Sequence, residues 1–190
     1  MRGSKIWLAT GNSHKVEEAR EVLAEYGVQL EHLPFERLEI QADDPAEIAA
    51  YSLRQIPDEG RSVAVEDAGL FIDYYKGFPG PYSSYALEKI DLPGILKLME
   101  GVEDRRASYH SFVALRHEGE IRLFQGTVTG KIAQKTRGTH GFGYDPIFIP
   151  DEGEGRTFGE MTDEEKNAIS HRARAFRSLG AWLSGSEEDF

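Results

Sequence analysis

The chain of 190 residues contains no cysteine, which excludes disulfide bonds and thiolate metal sites. Its 6 histidines form neither an HxH nor an HExxH pattern, so a histidine metal site is not indicated. No apolar run is long enough to cross a membrane, and no N-terminal signal peptide is recognisable. We therefore expect a cytoplasmic protein that does not associate with membranes.

Basic residues are also scarce, because 22 Lys and Arg stand against 33 Asp and Glu and leave a net charge of −11. This excess of acid argues against affinity for nucleic acid or anionic membranes. A small anionic ligand would need a local cluster of basic groups or a metal ion. The length predicts a single domain over residues 1–190, with room for two lobes and a loose tail from about residue 184.

The hydrophobic period changes near the N-terminus, where an apolar run of strand length at residues 5–9 is followed by helical spacing. In the turn between them, Gly11 could take a positive φ or let a ligand approach the backbone, and Asn12 or Ser13 could cap the helix. Helix N-termini attract phosphate, and Lys15 adds a positive charge. An ordinary βα connection is the alternative, because the glycine spacing of a P-loop is absent.

A second strand-like run, residues 63–70, contains the adjacent acids Glu66 and Asp67 and is predicted to stop at Gly69. Because side chains alternate along a strand, the two carboxylates should point to opposite faces. An acid at the C-terminal end of a core strand lies where α/β sheets usually bind ligands, and this favours Asp67 over Glu66. A carboxylate that caps the following turn is the alternative.

Glycines surround two aromatic residues, Phe142 and Tyr144, in the segment that begins at Gly138. A ring in such a loop can stack on a nucleobase, a contact worth roughly 1–3 kcal/mol in single-strand binding proteins. Asp145 could accept hydrogen bonds from a ligand. A glycine-rich turn before a strand at residues 146–149, with its rings simply packed, fits the pattern equally well.

The last motif begins at Thr162 and Glu165, which match a capping box. Residues 170–177 then concentrate cationic groups, among them His171 and Arg172, against the acidic average of the chain. An apolar stripe accompanies them at Ile169, Ala173, Phe176 and Leu183. A solvated charged helix face is the usual meaning of this pattern, and recognition of phosphate and base is the alternative.

The remaining elements are predicted from periodicity and turn residues. Short strands are expected at residues 28–33 and 38–41, and a helix start at Asp44-Pro45. A rigid aromatic turn at residues 78–85 and a short helix at 92–101 precede a β-hairpin at 108–116 and 121–128.

Taken in order, these motifs resemble the inosine triphosphate pyrophosphatase family, also called XTP/dITP diphosphatases or Ham1-like proteins. The resemblance runs from Ile6 to about Leu183. It rests on an ordered set of motifs: Thr10-Gly11-Asn12 with Lys15 and Glu18, Glu66 to Leu70, Phe78 to Ser83, Gly141 to Pro146, and Glu165 to Arg172.

The resemblance implies an α/β fold that is elongated and two-lobed, with a long twisted mixed β-sheet, flanking helices and a central nucleotide cleft. It also implies a homodimer. The implied reaction is Mg²⁺-dependent hydrolysis of non-canonical purine nucleoside triphosphates, namely ITP, dITP and XTP, to the monophosphate and pyrophosphate. Such an activity cleanses the nucleotide pool.

Site residues follow from the same resemblance. Asp67 matches the catalytic acid and a metal ligand, Glu39 resembles a second metal-binding carboxylate, and Glu18 is a candidate helper in activating water. The matched substrate contacts are Thr10, Gly11, Asn12, Ser13, His14, Lys15, Ala68, Phe142, Gly143, Tyr144, Asp145, Lys166, His171 and Arg172. The chain departs from the family at Ser52, near which many members carry a lysine, so that Arg54 or another cation would have to substitute.

Two rival hypotheses stay open at this point. One is another nucleotide hydrolase, such as a Maf-like pyrophosphatase that acts on pyrimidine or modified nucleotides. The other is a non-catalytic nucleotide-binding protein that keeps the pocket, which the missing lysine suggests. Hydrolysis at the γ-phosphorus would release orthophosphate instead, and only the resemblance selects the α-phosphorus.

Overall fold

The computed structural model describes residues 4–35, 40, 42 and 44–185. Its strands are β1 (Lys5–Ala9), β2 (Gln29–Leu33), β3 (Val63–Ile72), β4 (Arg106–His117), β5 (Glu120–Ile132) and β6 (Phe148–Pro150). Its helices are α1 (Ser13–Ala24), α2 (Pro45–Arg54), α3 (Ser83–Leu98), α4 (Asp163–Ile169) and α5 (His171–Ser184). Short 3₁₀ turns lie between several of these elements.

The strands form a 6-stranded sheet in the order β2-β1-β3-β4-β5-β6. Strand β1 pairs in parallel with both β2 and β3, whereas β5 and β6 are antiparallel. The connections from β1 to β2 and from β2 to β3 each contain a helix, α1 and α2, as parallel strand pairing requires. The predicted α/β class with a mixed sheet is therefore confirmed.

The contacts divide the chain into two compact units, the first made of residues 1–67, 111–126 and 171–190 and the second of residues 68–110 and 127–170. In the first unit, the apolar faces of α1 and α5 form one core cluster that includes Leu23 and Phe176. A further cluster of this unit joins α2 to β3, through Leu53 and Val65 for example. The second unit has its own core around Phe148.

Several boundaries confirm local sequence signals. Asp44 caps α2 by accepting a hydrogen bond from the backbone N–H of Ala46 at 2.9 Å, with Pro45 at the first helical position. Thr162 and Glu165 form the expected capping box at α4. The β4–β5 hairpin turns on a two-residue loop whose residues both have positive φ, as type I′ geometry requires. No helix among the described residues is both long and apolar enough to cross a membrane.

Two predicted elements differ in the structure, and a third is not covered by it. Strand β3 continues to Ile72 rather than stopping at Gly69, because this glycine serves a close approach: a Cβ there would lie 2.4 Å from the carbonyl oxygen of Gly80. Helix α3 begins at Ser83, inside the predicted aromatic turn, and is broken at Asp91, whose φ is 51°. The strand predicted at residues 38–41 lies, except for Ile40, outside the described residues.

The apolar stripe predicted for one last helix is divided between two helices. Ser170 has extended backbone angles and separates α4 from α5. Ile169 packs against the core of the second unit, whereas Ala173 and Phe176 belong to the core of the first. Residues 186–190 of the predicted tail lie outside the described residues.

Gly126 sets how closely β5 can approach the start of α5 within the first unit. A Cβ at this position would lie 2.0 Å from the carbonyl oxygen of His171 and 2.5 Å from the backbone nitrogen of Ala175. Both atoms are main-chain atoms of a packed helix, so they cannot rotate out of the way. A glycine is therefore required here by packing.

We expect Gly126→Ala to lower the free energy of unfolding by about 1–3 kcal/mol or more, because α5 must move away from β5. Urea unfolding followed by circular dichroism measures the loss. The control is Leu123→Ala on the same strand, where the side chain is 50% exposed and the expected change is within about 0.5 kcal/mol. Equal stability of the native and Gly126→Ala proteins would contradict the packing argument.

Candidate functional site

The turn between β1 and α1 is fixed by a chain of local hydrogen bonds. Thr10 Oγ1 accepts from the backbone N–H of Asn12 at 3.1 Å, and Asn12 Oδ1 accepts from the N–H of His14 at 3.0 Å. Asn12 is thus the cap of α1 and not Ser13, the other residue that the sequence suggested. From β2, His32 Nε2 lies 2.8 Å from the carbonyl oxygen of Thr10, and since a carbonyl only accepts, this nitrogen carries the proton.

Gly11 leaves the N-terminus of α1 open. Its φ is not positive, and a Cβ built on it would meet no other atom within 4 Å, so neither backbone strain nor packing within the structure requires glycine here. Ser13 and His14, the first two helical residues, are also exposed. The first backbone N–H groups of a helix have no acceptor within the helix, so an exposed first turn is a place where an anion can bind.

Lys15, one turn into α1, is held by Glu66 of β3. Its Nζ lies 2.7 Å from Glu66 Oε2 and 3.4 Å from the Glu66 carbonyl oxygen. The other carboxylate oxygen, Oε1, accepts from Ser111 Oγ at 2.8 Å and from Arg172 Nε at 3.1 Å. Glu66 is 1% exposed, so one buried carboxylate joins α1, β3, β4 and α5.

Arg172 completes a group of four charged side chains in the first unit. Its Nη1 donates to Glu18 Oε2 of α1, while its Nε is bound to Glu66. Glu18 is 9% exposed and Arg172 is 3% exposed. The two positive and two negative groups, Lys15 and Arg172 against Glu18 and Glu66, are balanced in charge. Buried ions are tolerated only when they are paired in this way.

The ionisation of Glu66 reflects this environment. Burial by itself would raise the pKa of the carboxyl, but the charges of Arg172 and Lys15, with hydrogen bonds from Lys15 and Ser111, outweigh it and hold the pKa of Glu66 well below its usual range. Glu66 is therefore ionised at every pH at which the protein is expected to work, and its role is that of a permanent anion.

Asp67 follows Glu66 on β3 and is 8% exposed. The residues before it alternate as predicted, because Val63 and Val65 lie in one core cluster and Ala64 in another. Its carboxylate is a hard oxygen donor of the kind that Mg²⁺ prefers. Among the described residues no three His, Cys, Asp or Glu side chains gather at a metal site, and Mg²⁺ does not need three, since one or two carboxylates and substrate phosphates suffice. Glu39, the other predicted ligand, lies outside the described residues.

The second unit contains a separate buried ion pair between Asp145 and Lys166. Asp145 Oδ2 lies 2.7 Å from Lys166 Nζ and accepts from the backbone N–H of Phe142 at 2.8 Å. Both residues are 2% exposed. Gly141, with a φ of +71°, leaves the space that the carboxylate needs, because a Cβ there would lie 2.1 Å from Asp145 Oδ2. The glycine-rich loop is therefore built around this pair.

Two aromatic residues of this loop have different positions. The Phe142 ring is half-buried, with Lys166 Nζ 4.9 Å from its centre, which leaves ring surface in contact with solvent. Tyr144 is 2% exposed and donates its hydroxyl to the carbonyl oxygen of Ser83 at 2.6 Å. Burial raises the pKa of the Tyr144 phenol. The Tyr144 side chain thus supports the loop from within, and a ligand could meet this residue only through its backbone.

The predicted site residues therefore fall into two sets, one in each unit. The first unit holds residues 10–15, Asp67, His171 and Arg172, and the second holds Ala68, residues 142–145 and Lys166. His171 is 2% exposed at the start of α5. Ser52, where the family resemblance led us to expect a lysine, is fully buried on α2, and its Oγ has no hydrogen-bond partner among the residues that the structure describes.

Sequence reasoning missed the central position of Glu66, and it missed Ser111 and His32 altogether. A signal for Glu66 was available, because an acid that points to the apolar face of a core strand must find cationic partners. No comparable signal marked Ser111 or His32, whose partners, Glu66 and Thr10, lie 45 and 22 residues away in the chain. Both are polar residues in strands, where a surface position is the ordinary expectation.

The fold and the polar cluster of the first unit define an α/β protein with an open, lysine-flanked helix N-terminus, a type of place where phosphate groups bind. The sequence profile of the Ham1 family matches residues 6–182, so the chain belongs to this family.

Known relatives and structures are similar over almost the whole chain. A dITP/XTP pyrophosphatase of Hyperthermus butylicus is 49% identical over 184 residues, which cover 96% of each chain. One of Pyrococcus horikoshii is 46% identical over 94% of this chain and 96% of that protein. The solved structure of a HAM1 protein from Coxiella burnetii has a TM-score of 0.83 at 31% identity, covering 96% of this chain and 99% of that one.

We expect Asp145→Ala to lower the free energy of unfolding by about 3–5 kcal/mol, because it leaves the Lys166 charge buried without its carboxylate. The double variant Asp145→Asn/Lys166→Met, which removes both charges, should recover most of this loss. Urea unfolding of the two variants and the native protein measures the difference. If the double variant were as unstable as Asp145→Ala, the buried charge would not be the cause.

Glu66 also predicts how stability changes with acid. Because its pKa is lowered by folding, its ionised form adds stability that is complete above the ordinary glutamate value and is lost as the pH falls below it. We expect Glu66→Gln to cost about 3–5 kcal/mol at pH 7, and this gap from the native protein should narrow below about pH 4.5.

Unfolding free energies of both proteins from pH 7 to pH 3 measure this gap. The control is Glu25→Gln, an exposed residue with only a loose contact of 3.8 Å to Arg177, for which we expect a difference within about 0.5 kcal/mol. A Glu66→Gln gap that stayed constant across this range would show that its ionisation is not linked to folding.

Proposed function

We propose that this protein hydrolyses non-canonical purine nucleoside triphosphates, dITP, ITP and XTP, to the monophosphate and pyrophosphate. The observation that carries the proposal is the near full-length similarity to proteins named dITP/XTP pyrophosphatases, at 46–49% identity. The open N-terminus of α1 beside Lys15 supports it, because such a site suits a polyphosphate. The cellular role would be removal of deaminated purines from the nucleotide pool.

In the reaction, a water oxygen bonds to the α-phosphorus and the bond from that phosphorus to the bridging oxygen of the β-phosphate breaks. Pyrophosphate leaves, and the proton of the water passes to a carboxylate. Asp67 is the candidate for this carboxylate, since it follows Glu66 on β3 and the family resemblance matches it to the catalytic acid. The first-turn N–H groups of α1 and the Lys15 ammonium would bind the phosphates.

Mg²⁺ is the proposed cofactor, held by Asp67 and, as predicted from the family resemblance, by Glu39. When bound, the ion neutralises phosphate charge and orients the triphosphate. Asp67 itself offers the hard oxygen that such an ion requires. A homodimer and a cytoplasmic location stay predictions from the sequence.

Selection of the base is proposed to depend on the 6-keto edge of hypoxanthine or xanthine. Donors at His171, Arg172 or the backbone of residues 142–145 would satisfy O6, and the amine of adenine would leave them unpaired. The half-buried ring of Phe142 offers a surface on which a base can stack. Lys166 supports this ring from within its pair with Asp145.

The proposal predicts that, with Mg²⁺ present, dITP, ITP and XTP give the monophosphate and pyrophosphate, while ATP and GTP react at least tenfold more slowly. An assay that resolves pyrophosphate from orthophosphate and identifies the nucleotide product tests this. We expect Asp67→Asn to lower kcat by at least a hundredfold with the fold retained, whereas the matched exposed variant Asp58→Asn should leave it unchanged.

The other outcomes separate the rival hypotheses. Orthophosphate as the product would move the attack to the γ-phosphorus and overturn the proposal. Preferential hydrolysis of pyrimidine or modified nucleotides would favour a Maf-like activity. Binding of ITP without turnover at any Mg²⁺ concentration would favour a non-catalytic nucleotide-binding protein.

A further inference from the structure

We propose that Glu66 is a positioning residue: with one carboxylate oxygen for each of two cations, it fixes Lys15 against the phosphate-binding turn and ties it to Arg172. Glu66 does not touch substrate in this proposal, and it acts through Lys15. The inference rests on the proposed function, because it assigns a task to the Lys15 ammonium at that same site.

The two oxygens of Glu66 have separate partners. Oε2 lies 2.7 Å from Lys15 Nζ, and Oε1 lies 3.1 Å from Arg172 Nε. Ser111 Oγ, at 2.8 Å from Oε1, fixes the plane of the carboxylate from β4. With each oxygen engaged by a different cation, the carboxylate cannot rotate without breaking one of the contacts.

Lys15 is constrained in turn. Its Nζ also lies within 3.4 Å of the Glu66 carbonyl oxygen, so side chain and backbone of the same residue hold it. The Lys15 side chain is 16% exposed, against 0% for that of Glu66. The ammonium therefore retains some contact with solvent, and the anion behind it is sealed in the protein. An ammonium held in this way is ordered before any ligand binds.

Arg172 is the second element that Glu66 locates. Glu18, on α1 one turn beyond Lys15, binds the other end of the same guanidinium. The ion pairs therefore form a chain from Lys15 through Glu66 and Arg172 to Glu18, and both ends of this chain lie on α1. A shift of any one side chain would be transmitted to Lys15, and this coupling separates positioning from simple burial of a pair.

Glu66→Gln keeps the shape of the side chain and removes its charge. This substitution has two opposing effects on substrate binding. Removal of the negative charge reduces repulsion of phosphate, whereas a less ordered Lys15 makes a weaker contact with phosphate. In the transition state the ammonium must be placed correctly, and misplacement by about 1 Å can cost about a hundredfold. The proposal therefore predicts a kcat lowered about 10–100-fold with KM changed less than threefold.

A double-mutant cycle with Lys15→Met tests whether Glu66 acts through Lys15. With dITP and Mg²⁺ under single-turnover conditions, Glu66→Gln should lower the rate in the native background and add less than a threefold loss in the Lys15→Met background. Losses that multiply would overturn the proposal, since Glu66 would then act on its own. The matched control for the charge change is Glu25→Gln, which should leave all rates within twofold of the native protein.

A second readout does not depend on turnover. In protein labelled with ¹⁵N-lysine, we expect a side-chain ammonium signal from Lys15, assigned by its absence in Lys15→Met, that is lost or moved to the exposed-lysine region in Glu66→Gln and unchanged in Glu25→Gln. An unchanged Lys15 signal in Glu66→Gln would overturn the placement. If the native protein does not hydrolyse dITP, the proposed function fails while this measurement still decides whether Glu66 fixes Lys15.

Discussion

The buried Glu66 carboxylate is the constraint on which the polar part of the first unit depends. A carboxylate that is 1% exposed in an apolar strand would cost several kcal/mol without partners. Its partners come from α1, β4 and α5, at chain separations of 51, 45 and 106 residues. Satisfying this one anion therefore fixes the N-terminal helix and the last helix relative to the sheet, together with the turn that begins α1.

The second unit has a buried carboxylate of its own, Asp145, whose charge must also be paired. The Asp145 carboxylate satisfies both the Lys166 ammonium and the backbone N–H of Phe142, and Gly141 has no Cβ because that carboxylate occupies the space. The glycine-rich turn seen in the sequence is thus built around this carboxylate. In both units a buried acid therefore holds a lysine ammonium in one position, so an acidic chain uses its carboxylates to order some of its cations.

Features whose cause spans a few residues could be predicted from the sequence. The Asn12 cap, the Thr162 capping box and the β4–β5 hairpin are of this kind, because their donors and acceptors are neighbours in the chain. Gly69 suggested the end of a strand, although its real cause, the approach of Gly80, is not local. The break at Ser170 was equally hidden, since the apolar residues on its two sides fit one helical stripe but pack in separate cores.

In the candidate site, too, contacts between residues distant in the chain could not be predicted from the sequence. Alternation along β3 predicted that Glu66 and Asp67 point to opposite faces, and the family resemblance pointed to Lys15, Arg172 and Glu18. No sequence pattern showed that these residues pair with one another. Salt bridges between residues 106 or 154 positions apart do not produce a periodic pattern in the sequence. The charges were therefore identifiable as a set of candidates, and their pairing was not.

This pairing bears on how a chain with a net charge of −11 can bind a polyanion. A mobile surface lysine would lose about 0.5–1.5 kcal/mol of side-chain entropy when a ligand immobilises it. Lys15 is already immobilised by Glu66 in the folded protein. Its side-chain entropy is therefore lost during folding and not during ligand binding. The cost is a weaker net attraction, because Glu66 offsets the charge of Lys15. In the proposed function, affinity for phosphate would then come mainly from the N-terminus of α1 and from the proposed cation, while Lys15 would place a positive charge accurately beside the leaving group.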